Sequence, residues 1–142
     1  LGYTHSWTPK DDGVISPETW EKICDDVQKL VAASPAPVLW ESDSNLPPEL
    51  SADLIRFNGK LGDGYETFYF ERSVPRLSFC KTAQKPYDHV VVGALACIAE
   101  HAPDKVQISS DGGEDDWEEG LAWASKTLGL PLKYPVFEDE DA

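Results

Sequence analysis

Lys81, Thr82, Lys85, Tyr87 and Asp88 crowd into eight positions just ahead of an unbroken apolar run, residues 90–99. Two ammonium groups, a hydroxyl, a phenol and a carboxylate therefore gather where a helix begins. A helix start leaves backbone N–H donors unpaired and carries partial positive charge, so the group suits a carboxylate or phosphate on a small ligand. The same residues also have an architectural use, with Asp88 complementing the helix end and the lysines pairing with nearby acids. A second candidate is His5, set between Tyr3 and Trp7. Histidine is the usual proton carrier near neutral pH, and the aromatics beside it could form a stacking surface. A strand laid against the following hairpin would bring His5 towards Glu66, Arg56 or Lys81; its plain alternative is a structural hydrogen-bonding role. His89 and His101 stand at the ends of the apolar run and offer less.

Other chemistries are poorly supplied. Cys24, Cys80 and Cys97 with the three histidines show no CxxC or HxxxH spacing, so no zinc finger and no metal site is expected. The acids of 111–116 could offer oxygen ligands but lack the EF-hand pattern, and acids opening a helix also complement its dipole. There is no Gly-x-Ser-x-Gly, no Walker loop and no dinucleotide fingerprint, and no cofactor is expected. Cys80 beside Lys81 could be activated, although a small inward-facing strand cysteine is the commoner arrangement.

The elements that must position these groups fit one domain. The chain has 142 residues, 41% of them hydrophobic, enough for one core spanning 1–136 before an acidic tail, 137–142, expected to fray. Ser16-Pro17-Glu18 opens a helix whose Trp20, Ile23, Cys24, Val27, Leu30 and Val31 form one stripe, ending before Ser34-Pro35. Strands are expected at 2–7, 38–40, 54–58, 65–72 and 77–80, with the glycine-rich 59–64 as a hairpin connection and 41–48 as a mobile loop. Residues 86–101 form a helix apolar nearly all round, hence central and buried. A short strand at 105–109 precedes a last helix with Trp117, Leu121, Ala124 and Leu128 on one face, closed by Gly129 and Pro131. The fold class is α+β, an antiparallel or mixed sheet of about five strands with three helices packed against it.

Twelve basic residues stand against 26 acidic ones, a net charge of −14. This disfavours duplex nucleic acid and anionic membranes, both of which are bound through Lys and Arg. No run approaches the ~20 apolar residues needed to span a bilayer. An odd number of cysteines in apolar surroundings suits free buried thiols, and a cytoplasmic monomer is expected. The first residue is Leu1 rather than Met, so N-terminal processing stays open.

Five phrases, Gly2-Tyr3-Thr4-His5-Ser6-Trp7, Arg56-Phe57-Asn58-Gly59, Glu66-Thr67-Phe68, the Phe79-to-Asp88 segment and Ser109-Ser110-Asp111-Gly112, together resemble a set of small uncharacterised proteins of bacteria and phages. Those share a Gly-Tyr-Thr-His-x-aromatic opening and a Lys-Thr-Ala-x-Lys-Pro-Tyr-Asp phrase. The resemblance spans most of the chain, implies one domain and carries over no catalytic role. The expected function is a small acidic, non-catalytic binding or interaction protein, taking a protein or a small anionic ligand at 81–88 with His5 nearby. One alternative is a small hydrolase or nuclease-like toxin using His5 or Asp88 as acid and base, with Lys81 and Lys85 stabilising anionic charge. A second is lectin-like sugar binding through exposed aromatics, with Trp40 and Trp123 the least forced inward.

Overall fold

Trp7, Ile55, Phe57, Phe68 and Phe70 meet in one core because alternate residues of a strand point to one face. The computed structural model describes residues 2–136; the acidic segment 137–142 lies outside the described residues. The order is β1 (Thr4–Pro9), α1 (Pro17–Ala33), β2 (Val38–Leu39), β3 (Glu49–Leu50), β4 (Leu54–Gly59), β5 (Phe68–Glu71), β6 (Ser78–Lys81), α2 (Asp88–His101), β7 (Val106–Ser110) and α3 (Glu114–Leu128). This is an α+β single domain whose strand pairs are antiparallel.

The expected single sheet of about five strands is in fact two sheets with seven strands. One has the order β6-β1-β7; in the other, β4 is flanked by β2, β3 and β5. The one strand without an expected counterpart is a short pairing. Glu49–Leu50 is a two-residue strand after Pro47-Pro48, too short to show any alternation. The β4–β5 hairpin forms across the glycine-rich segment, with Phe57 opposite Phe68 and Leu54 opposite Glu71. β5 is shorter than the aromatic run suggested, because Asn58 takes the chain ahead of it, bonding the Tyr65 N–H and carbonyl and the Thr67 hydroxyl.

α1 starts where Ser16 accepts from the Thr19 N–H, and α3 ends on Gly129 in the left-handed region. α2 has no side-chain cap. Its stability comes from burial: Val90, Val91, Val92, Leu95 and Ile98 are all buried. A fully buried aliphatic side chain stabilises by about 1.5–3 kcal/mol, and a cap by only about 1 kcal/mol. α2 packs against α1, α3 and β7. The close approach uses Gly93, where a Cβ would lie 2.9 Å from Leu30 Cδ1 and 3.1 Å from Ala124 Cβ. This packing holds the first turn of α2 against the end of β1, where the chemistry-bearing residues meet.

Candidate functional site

β1 lies between β6 and β7, not beside the hairpin, and this sets what His5 touches. His5 is fully buried. Its Nε2 lies 2.7 Å from Asp88 Oδ1, and its Nδ1 2.8 Å from Ser110 Oγ. Ser110 Oγ also accepts from the Gly112 N–H at 2.9 Å and from Trp117 Nε1–H at 3.1 Å. A hydroxyl has two acceptor sites and one proton. With both sites filled, Ser110 donates to His5 Nδ1, so the imidazole proton sits on Nε2 and is donated to Asp88. Thr82 Oγ1 donates to the same Asp88 oxygen at 2.6 Å. The other carboxylate oxygen, Oδ2, accepts no hydrogen bond among the described residues and is not buried.

Aromatic rings close the relay from two sides. Tyr3 and Trp117 meet the His5 ring edge-on, at 5.3 and 5.1 Å between centroids. Burial, then the Asp88 charge, raises the Tyr3 phenol well above its ordinary range. Its hydroxyl lies beside Ser110 but makes no hydrogen bond of ordinary geometry. It fits because Gly112 has no side chain: a Cβ there would stand 2.0 Å from Tyr3 Oη.

The loop between β6 and α2 is tightly folded. The Thr82 and Ala83 N–H groups both donate to the Tyr3 carbonyl, and the Lys85 N–H to the Thr82 carbonyl. The two residues inside that last turn, Ala83 and Gln84, have φ of 52° and 54°. Left-handed backbone costs a non-glycine residue roughly 1–2 kcal/mol, and two in succession are held only by surrounding structure. The turn forms one lip of a cleft of about 260 Å³, lined by Gln84, Lys85, Asp88, His89, Asp116 and Glu119 among others. Lys85 is exposed and has no ion-pair partner among the described residues. Facing it, His89 Nε2 lies 3.7 Å from Glu119.

Of the residues singled out from sequence, the structure brings His5, Thr82 and Asp88 together and puts Lys85 at the cleft that Asp88 enters. Lys81 and Tyr87 go elsewhere. Lys81 points to the other side of β6, its Nζ 5.7 Å from the Tyr65 ring centroid, while its backbone N–H is held by Glu66 Oε1 at 2.7 Å. Tyr87 is fully buried, its hydroxyl bonded to the carbonyls of Glu66 and Lys81. Trp7 lies in the core against Phe68 and Phe70, so His5 is not part of an exposed stacking surface. Sequence reading missed Ser110 and Trp117 as partners of His5. Ser110 stood in a phrase already noted, but only β-pairing shows that residues 105 apart are opposite each other.

The cysteines are free, and burial pushes the Cys80 and Cys97 thiols up to about 12, away from activation. Among the described residues no three His, Cys, Asp or Glu side chains gather as a metal-binding set, and no helix is long and apolar enough to cross a membrane. No protein-family model, curated protein or solved structure matched the chain.

Proposed function

We propose that this is a non-catalytic binding protein that takes a small polar ligand in the cleft between the 82–85 turn and the starts of α2 and α3. The observation that carries the reading is the pair of left-handed residues, Ala83 and Gln84, in a turn whose Gln84 and Lys85 line a cleft that Asp88 enters. Backbone strain of this kind concentrates where a loop is held ready for a ligand. Lys85 would meet an anionic group, while Asp88 Oδ2, Asp116 and Glu119 would accept from amine or hydroxyl donors. A ligand bearing both kinds of group, of about amino-acid size, fits a cleft just under the usual range of roughly 300–1,000 Å³. Three free thiols, two of them buried, suit a reducing compartment such as the cytoplasm. We place the protein there as a monomer.

The hydrolase alternative draws support from one observation, the Asp88–His5–Ser110 connectivity. Burial of His5 and the two donors already on Ser110 weigh against it, since attack would require the hydroxyl to give up a bond.

The test is a thermal-shift screen of the intact protein against amino acids, phosphorylated metabolites, nucleotides and sugars. Stabilisation by a small zwitterion or phosphate compound, lost in Lys85→Ala with the unliganded melting temperature unchanged, is the expected result. A melting shift in Lys85→Ala without ligand, and no stabilising compound, would assign the loop to architecture alone.

A further inference from the structure

Asp88 is only 9% exposed, yet no fixed positive charge lies against it. His5, the ionisable group in contact with it, is neutral by the hydrogen-bond count at Ser110. Both donors to the carboxylate, His5 Nε2–H and the Thr82 hydroxyl, go to Oδ1, and Oδ2 has no donor among the described residues. A carboxylate mostly withdrawn from water and without a counter-ion is costly to keep. A cation arriving at Oδ2 with a ligand would remove that cost.

The cleft does not supply this cation itself. Asp88, Asp116 and Glu119 line it against the single ammonium group of Lys85, so three negative charges less one positive leave a formal −2 with His89 neutral. The starts of α2 and α3 each contribute a partial charge of about +0.5, which offsets roughly half of that surplus. The Asp88 and Asp116 charges both add to burial in raising the Tyr3 phenol, so their fields overlap. The Glu119 side chain is 87% exposed and touches only His89, at 3.7 Å, which leaves it free to turn towards a bound cation. Lys85 has no ion-pair partner among the described residues and needs an anion of its own.

We propose that the ligand of the cleft is a basic amino acid, of the lysine, ornithine or arginine class; this rests on the reading of the cleft as a ligand site. The α-carboxylate meets Lys85, and the two cationic groups are shared among Asp88 Oδ2, Asp116 and Glu119. A net charge of one positive unit on the ligand then matches the surplus left in the cleft. Phosphate compounds and acidic amino acids would add to the negative charge, a neutral zwitterion would leave the surplus standing, and a diamine would leave Lys85 without an anion.

The experiment is isothermal titration calorimetry of the intact protein at neutral pH and 0.1 M salt with L-lysine, L-glutamine and 1,5-diaminopentane. Lysine should bind about tenfold more tightly than glutamine, the scale of one charge pair between fully solvated and partly buried settings. Glu119→Gln should weaken lysine about two- to fivefold, as loss of an exposed charge pair does, and leave glutamine unchanged. Glu118→Gln removes the same charge one residue away and outside the cleft lining, and should leave lysine binding as it was. Lys85→Ala should weaken lysine but not the diamine, which has no carboxylate to lose. Glutamine bound as tightly as lysine, or weakened equally by Glu119→Gln, overturns the proposal while leaving the cleft a ligand site. No heat with any of the three overturns it as well, and the reading of the cleft then stands or falls on the thermal-shift screen.

Discussion

At the scale of single residues, the most consequential group is the Ser110 hydroxyl, because three other polar groups depend on it. Ser110→Ala would strip partners from His5 Nδ1, the Gly112 N–H and Trp117 Nε1 at once. One buried group left unsatisfied costs about 1–3 kcal/mol, so a loss at the upper end of that range is expected in chemical denaturation. Thr82→Val, which removes one of two donors to Asp88 Oδ1 and the long 3.4 Å acceptor contact of the Gln84 N–H, should cost less, about 1 kcal/mol. Equal losses would mean that Ser110 does not hold the cluster together. The thiols give a pH dependence of definite sign. Burial raises Cys80 and Cys97 from 9.0 to about 12, so above pH 9 the unfolded chain releases protons that the folded chain keeps. Their contribution is present in full below pH 9 and is lost as pH rises towards 12. Urea midpoints should therefore fall from pH 9 upward, and less steeply in Cys97→Ala. His5 and Asp88 were legible in the sequence as polar residues in an apolar setting. Ser110 was not, since nothing local distinguishes it from Ser109.

Among the elements, α2 and the turn before it make opposite demands on small residues. Alanine normally favours a helix over glycine by about 1 kcal/mol, yet Gly93→Ala would press a methyl against Leu30 and Ala124. Overpacking costs about 1–3 kcal/mol, so net destabilisation is expected by calorimetry; a stabilised variant would show that α1 and α3 can separate without cost. At Ala83 and Gln84 the sign reverses. Removing left-handed strain gains roughly 1–2 kcal/mol, offset by the roughly 0.5–1 kcal/mol of extra freedom that glycine gives the unfolded chain. Ala83→Gly should thus stabilise slightly while weakening the ligand found in the thermal-shift screen, because the turn would no longer be held in one shape. α1 and α3 were readable because caps and three-four periodicity are local signals, and α2 because its unbroken apolar run, residues 90–99, is one too. The split into two sheets was not, because it depends on which strands β1 and β4 recruit, and β2 and β3 are too short to carry a pattern.

For the whole molecule, net charge was legible but its distribution was not. Residues 54–85, which hold β4, β5 and β6, carry six of the 12 basic residues and three of the 26 acids, whereas α1 and α3 are acidic. Glu18, Glu21, Asp25 and Asp26 lie on α1, and Glu114, Asp115, Asp116, Glu118 and Glu119 on α3, and these helices pack against each other. Like charges so arranged oppose the folded state, and salt screens them over a Debye length of about 10 Å at 0.1 M. Against them stand a few ion pairs that salt would weaken: Lys105 with Asp11 and Asp12, Arg56 with Glu41, and Arg72 with Asp53. Exposed pairs contribute about 0–1 kcal/mol each, whereas the acids crowd the N-terminal portions of α1 and α3, so repulsion should dominate. Sodium chloride raised from about 0.02 to about 0.5 M should increase the melting temperature by a few degrees. Neutralising exposed acids with Glu21→Gln and Glu118→Gln should raise the low-salt melting temperature and flatten that salt dependence. A melting temperature that falls with salt would show instead that the ion pairs outweigh the repulsion between α1 and α3.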